Sequence, residues 1–463
     1  MALVADPSAV CRRPLPYPGA PSTMAAMPTC ILTTADRHWQ PHPVTPAAAD
    51  VTPDLHLGDE TGGSWRGWGG CFNELGWTAL AHLTASDRAA VLDRLFGAGS
   101  DLDFTFCRVP IGANDYSLDW YSHDEQPGDF AMERFSIARD RQHLLPYIHA
   151  ALARQPDLAF FASPWSPPTW LKQPPVCNYG TLIADDRHYD AYAAYFVRFI
   201  QAYAAEGVAI SQVHPQNEPV STQKFPSCVM TGAELARFIG QHLGPALERA
   251  GLPTEIWLGT LNGPETDERK WWTTYHHYAG LVLEDRDAAR HIRGIAYQWA
   301  GKHAVQATRL AHPELPLIQS ENECGDGNNT WQHAWYVADL IQHYLINDAV
   351  GYVYWNMVLE PRGLSTWGWP QNSLITVDPA TRRATYNPEF HLLRHYAAIR
   401  PGARRRVCSR PWASSCVAYR HAGGTVAVLR NPYPTAREIT CTADGQAWRI
   451  ALPAHAIATL HLS

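Results

Sequence analysis

Two glutamates each stand just behind an apolar run. His214-Pro215-Gln216-Asn217-Glu218-Pro219 follows the run ISQV, and Glu321 closes the run LPLIQS, with Glu323 two residues further on. Two carboxyl groups facing one cleft suit cleavage of a glycosidic bond. One gives a proton to the leaving oxygen, and the other attacks the sugar or activates water. Glu321 is the better placed of the second pair because it ends its run directly. Other runs end in residues of the same usefulness: Asn114 and Asp115 after FTFCRVPI, Trp165 after LAFFASP, Trp355 and Asn356 after GYVY. Amides and carboxyls hydrogen-bond hydroxyls, and indoles stack on the apolar faces of sugar rings. His214 reads as a core histidine.

These residues need a scaffold that brings many strand ends together. From Gly67 onward, eight short apolar runs alternate with amphipathic stretches such as DRAAVLDRLF, YDAYAAYFVRFIQAYAAEG and TWQHAWYVADLIQHYL. Strand–helix alternation repeated eight times predicts an α/β fold of the (β/α)8 TIM-barrel type, with its site at the C-terminal ends of the strands. Glu218 and Glu321 are separated by three such units of roughly 34 residues each, which places them on the fourth and seventh strands. After about Arg400 the pattern changes to short strands split by Gly, Pro and Asn turns: SSCVAYRH, GTVAVLRN, REITCT and ATLHLS. The organisation expected is a loose extension over 1–28, N-terminal strands of a small β-sandwich over 29–64, the catalytic barrel over 65–398, and the rest of the sandwich over 399–463.

Composition narrows the classes further. The 463 residues are 46% hydrophobic and only 17% charged, with a net charge of −7. A sizeable core is available, and the mild acidity argues against a nucleic-acid partner. No apolar stretch approaches the roughly 18 residues of a membrane span. The 18 Trp and 20 Tyr are numerous enough to furnish both a core and a sugar-stacking cleft. Ten cysteines occur without a CxxC pair, and 22 histidines without HExxH, so neither a disulfide scaffold nor a metal or other cofactor is expected. Pro14, Pro16, Pro18 and Pro21 interrupt any secretory leader, so the chain as given reads as cytoplasmic. Met24 and Met27 are alternative candidate starts, and a true N-terminus upstream of Met1 would leave a secreted or periplasmic location open.

The segments GWGGCFNELG, CRVPIGANDYS, ASPWSPPTWLK, HPQNEP, LIQSENECGDG, YVYWNMVLEP and NSLITVD, in this order, resemble glycoside hydrolase family 30, the glucosylceramidase-like retaining β-glycosidases. The resemblance implies a barrel fused to a β-sandwich built from both chain ends. It implies Glu218 as acid/base, Glu321 as nucleophile, Asn217 on the sugar 2-hydroxyl, Asp115 and Trp165 on hydroxyls of the terminal sugar, Trp355 at the floor of that subsite, and Arg108 as a buried support for the glutamates. Trp299 and Asn372 complete the substrate-binding candidates. Where members commonly carry His-Trp-Tyr, this chain has Gln298, Trp299 and Ala300. The expected function is retaining hydrolysis of β-glucosidic linkages in a carbohydrate or glycoside substrate. The alternatives are an endo-acting β-1,6-glucanase or galactanase, a xylan-active enzyme, and a carbohydrate-binding barrel without turnover.

Overall fold

The computed structural model describes residues 27–48, 50–263 and 278–463. The extension expected over 1–28 lies, but for its last two residues, outside the described residues.

Eight strands close into a parallel barrel: β1 (Gly67–Cys71), β2 (Phe106–Ile111), β3 (Ala159–Pro164), β4 (Ile210–Val213), β5 (Glu255–Leu261), β6 (Ile292–Gln298), β7 (Leu317–Glu321) and β8 (Ala349–Asn356). Each lies where an apolar run predicts it. Both faces of such a strand are covered, which is why β2 and β8 are buried at every residue and carry no polar alternation. The barrel interior is filled by Phe106, Phe161, Trp257, Ala296, Ile318 and Val353. The Gly-Trp-Gly-Gly run of β1 has a steric origin. A Cβ on Gly69 would stand 1.6 Å from the Phe106 carbonyl oxygen, so only glycine lets β1 lie this close to β2.

The helices outside start at side-chain caps. Thr84 accepts from the Asp87 amide ahead of Ala85–Phe96, Asp185 from the His188 amide ahead of Asp186–Ala205, and Thr330 from the His333 amide ahead of Trp331–Ile346. The second ends at Gly207, whose φ of +79° suits a helix stop.

The flanking β segments form one ten-stranded sheet. Its order is Gln40–His42, Thr29–Thr33, Ile457–Leu462, Gly424–Arg430, Cys416–His421, Arg404–Ser409, Leu55–Ser64, Arg437–Ala443, Gln446–Leu452, Thr45–Pro46. Leu55–Ser64 joins the two halves, antiparallel to Arg404–Ser409 and parallel to Arg437–Ala443. The halves share one apolar cluster that includes Leu32, Leu55, Leu429, Ile439, Ile450 and Leu460. Two of these strands are not predicted by the sequence. In Arg404–Ser409, Arg406 is buried and forms a bidentate pair with Asp444 at 2.9 Å for each bond. Gln446–Leu452 has the plain period-two burial of a half-covered strand.

The sheet's other face, including Val417, Tyr419, Val426, Val428 and Ile457, belongs to the main core together with the barrel helices. His395, at the end of helix Pro388–Ala397, joins Thr33 and Thr459, each at 2.8 Å, and so bridges the first and last strands of the chain.

Candidate active site

Arg108 is the centre of the barrel mouth. It sits on β2 with no exposed surface. Its Nη1 donates to Glu321 Oε2 at 2.5 Å, its Nη2 to Asn217 Oδ1 at 2.6 Å, and its Nε and Nη2 to Ser163 Oγ at 3.0 and 2.8 Å. A buried guanidinium must have partners around its whole fork, and these strand ends supply them. Its face lies 4.2 Å from the Trp165 ring centre and 5.7 Å from that of Trp355. The two indoles lie 5.4 Å apart and are both fully buried.

Glu321 is the last residue of β7, in register with Gln298 on β6. Glu218 lies beyond the end of β4, in the left-handed region at φ +46°, with its amide donating to the Thr260 carbonyl at 2.9 Å. A non-glycine residue held there is strained and persists only because its surroundings fix it. Its carboxyl accepts a short hydrogen bond from Gln298 Nε2. The two glutamates are thus linked on one side through Gln298 and on the other through Arg108 and Asn217.

Their proton affinities are set differently. Burial first, and then the charge of Glu321, push the Glu218 carboxyl up to about 7; the Gln298 hydrogen bond and Arg108 act against this. Burial also raises Glu321, but there the Arg108 charge and hydrogen bond are the opposing influences. A proton is thus held more readily on Glu218 than on an unburied carboxyl, and Arg108 works against the rise at Glu321.

Asp115 lies on the loop after β2, buried, with Oδ1 lacking a hydrogen-bond partner among the described residues and Oδ2 3.4 Å from Gln371 Nε2. Burial, then the charges of Glu321 and Glu218, raise its carboxyl well above the usual range. An unpartnered buried oxygen beside the two glutamates is suited to a substrate hydroxyl. Trp355 donates through Nε1 to Gln371 Oε1 at 2.8 Å, and Asn356 donates to the same oxygen at 2.8 Å. Cys71, Tyr116, Phe225 and Leu359 pack with the two indoles, and Trp367 lies against them.

The structure therefore brings together Arg108, Asp115, Trp165, Asn217, Glu218, Glu321 and Trp355. Two candidates are placed otherwise. Trp299 opens the short turn Trp299–His303, where its ring lies 5.3 Å from Lys302 Nζ and against the main core rather than among the residues around Arg108. Asn372 is buried with its amide already engaged. Oδ1 accepts from the amides of Gly327 and Asn329 at 2.8 and 3.2 Å, and Nδ2 donates to Glu389 at 2.8 Å. Asn372 pins the loop after Glu321.

Glu323 points elsewhere, accepting from the Tyr336 hydroxyl at 2.9 Å. His214 is buried and stacks on Phe161 at 4.4 Å. Sequence reasoning missed Gln371 and Ser163, and it noted Gln298 only as a departure from the family pattern. The available signal for Gln371 is the Gln-Asn-Ser run that follows the Trp-rich segment. Among the described residues no cluster of three or more His, Cys, Asp or Glu is arranged to hold a metal ion, and no helix is long and apolar enough to cross a membrane.

A sequence model described as the Glycosyl hydrolase family 30 TIM-barrel domain matches residues 65–399. The chain is 30% identical over 397 residues to "Putative glucosylceramidase 2" of Caenorhabditis elegans, covering 80% of this chain and 75% of that protein. It is 29% identical over 366 residues to "Lysosomal acid glucosylceramidase" of Mus musculus, covering 74% and 69%. Its fold is similar to the solved structure of an endo-beta1,6-glucanase, with a TM-score of 0.83 and 23% identity over 94% of this chain and 99% of the other.

Proposed function

The chain belongs to glycosyl hydrolase family 30, and from that premise we propose that it hydrolyses β-glucosidic bonds with net retention, Glu321 acting as nucleophile and Glu218 as acid and then base. The observation that carries this reading is the opposite partnering of the two glutamates: a neutral amide on Glu218, a guanidinium on Glu321.

In the first step the Glu321 carboxylate attacks the anomeric carbon while Glu218 gives its proton to the leaving oxygen. The product is a glycosyl ester on Glu321 and a free aglycone alcohol. Arg108 orients the nucleophile and also fixes Asn217, which is then placed for the sugar 2-hydroxyl. In the second step Glu218, now ionised, takes a proton from water as that water attacks the anomeric carbon, and the ester breaks. Asp115 accepts from hydroxyls of the terminal sugar, and Trp165 and Trp355 wall the same subsite. The substrate class is a β-linked carbohydrate or glycoside.

The test is a panel of β-glucosides, including an aryl β-glucoside, glucosylceramide, β-1,6-linked glucan and galactan oligosaccharides and xylan, with product analysis and proton NMR of the first-formed anomer. Release of the β-anomer from a β-glucoside is expected. Release of the α-anomer first would overturn the double displacement. Turnover of internal β-1,6 or xylan linkages but not of terminal glucosides would transfer the reading to an endo-acting enzyme. Binding of the panel without turnover would identify a carbohydrate-binding barrel.

A further inference from the structure

Helix Pro388–Ala397 lies outside the barrel, yet it carries a carboxyl group with no exposed surface to speak of, Glu389. Such a group is costly to bury without partners. Its partners are the Tyr354 hydroxyl, which donates to Oε2, and Asn372 Nδ2, which donates to Oε1 at 2.8 Å; His333 Nε2 stands 3.5 Å away. Asn372 is held at its other atoms too. Its backbone amide donates to the Cys324 carbonyl at 2.7 Å, and its Oδ1 accepts from Gly327 and Asn329. One side chain thus fixes both the segment that follows Glu321 and the strap that carries Gln371.

Gln371 is the next residue back along the chain. Its Oε1 accepts from both Trp355 and Asn356, and its Nε2 approaches Asp115 Oδ2 at 3.4 Å. Asn356 in turn accepts from Asn73 Nδ2 at 3.1 Å, behind β1. The amide therefore ties the indole of β8 to the carboxyl after β2. It also occupies one oxygen of Asp115 and leaves the other free.

Resting on the reading above, we propose that Glu389, Asn372 and Gln371 form a positioning chain for the sugar subsite, in which Glu389 anchors Asn372 and Gln371 sets the orientation of Asp115 and Trp355. None of the three reacts. Their action is on where the terminal sugar's hydroxyls and ring come to rest relative to Glu321, and small displacements there are costly to rate. Glu389→Leu removes the acceptor for Asn372 Nδ2. Glu389→Gln keeps an acceptor for it, because the Tyr354 hydroxyl can turn round and accept from the new amide.

The experiment compares Glu389→Leu, Glu389→Gln and Gln371→Met with the wild type on an aryl β-glucoside, together with amide hydrogen exchange over residues 324–329. Glu389→Leu is expected to lower kcat/KM by on the order of 10- to 100-fold and to speed exchange at Gly327 and Asn329, while Glu389→Gln stays within about threefold of wild type. Gln371→Met is expected to lose a similar factor, and its loss should be markedly smaller when Asp115 is already Ala, because both changes then remove the same contact. Faster exchange with unchanged kinetics in Glu389→Leu would overturn the chain and leave a brace of structural value alone. Full additivity of Gln371→Met and Asp115→Ala would overturn the link to Asp115. Failure of the functional reading itself registers separately, as a wild-type protein that turns over no member of the β-glucoside panel.

Discussion

The β4 end and the β7 end of the barrel each deliver one glutamate to the same cleft, and they do so by different means. Glu321 is the last residue of a regular strand, and its orientation follows from the β6–β7 register. Glu218 stands beyond its strand in a left-handed conformation that the loop and the Thr260 carbonyl impose. The partners differ in the same sense. A group that must stay ionised to attack is paired with a cation, whereas a group that must give and take a proton has a neutral amide that tolerates both states. On the roles proposed for them, the difference is written less in the residue type, which is shared, than in the second residue each carboxyl meets.

Removing one carboxylate should break the comparison most completely. Glu321→Gln should lower turnover by on the order of 10⁴-fold or more because no ester can form, whereas Glu323→Gln, whose carboxyl is tied to Tyr336, should stay within a few-fold. A mechanism-based fluoroglycoside label recovered on Glu323 would reverse the assignment. Next in size is Glu218→Ala, which should lose most with poor leaving groups and least with activated aryl glycosides, and which added azide should rescue as a β-glycosyl azide. Equal losses across leaving groups would move the acid role to another residue.

Exchange of the partners tests the distinction more finely. Activity needs Glu321 ionised and Glu218 protonated, so the acidic limb of the pH–rate profile follows mainly the former and the basic limb, near 7, mainly the latter, the pair titrating together. Arg108→Met removes the charge that lowers Glu321, so the acidic limb should move to higher pH and kcat should fall by about 10²- to 10³-fold. Gln298→Leu should have the smallest effect. The Gln298 hydrogen bond lowers Glu218, so its removal raises that carboxyl and moves the basic limb upward. A basic limb that moved downward would show that Gln298 supports the protonated form.

The sequence discloses the barrel because a strand covered on both faces must be apolar throughout, and eight such runs are hard to mistake. Glu218, Glu321, Asp115, Trp165 and Trp355 were legible for a related reason: each follows a run by no more than a few residues, and the barrel converts that into a place at the mouth. Gln371 and Glu389 carry no such marker. One lies on an irregular strap and the other on an outer helix, and only the folded strap brings them to Asp115 and Asn372. Asn372 is engaged by backbone amides and Glu389, and an amide near a site reads alike in sequence whether it faces a sugar or a backbone. Arg404–Ser409 was missed because the charge of Arg406 hid a buried pair with Asp444.

The hydrogen bonds between Thr29–Thr33 and Ile457–Leu462 have a consequence in time. At roughly 5–20 residues per second a ribosome needs on the order of 20–80 s to make the roughly 400 residues that separate these neighbours. Through that interval the early strand has one open edge and no apolar cover, while the barrel helices that the sheet will overlie are already emerging. The sheet that flanks the barrel therefore closes late, and the newborn chain is most exposed to wrong pairing just before Ile457–Leu462 arrives.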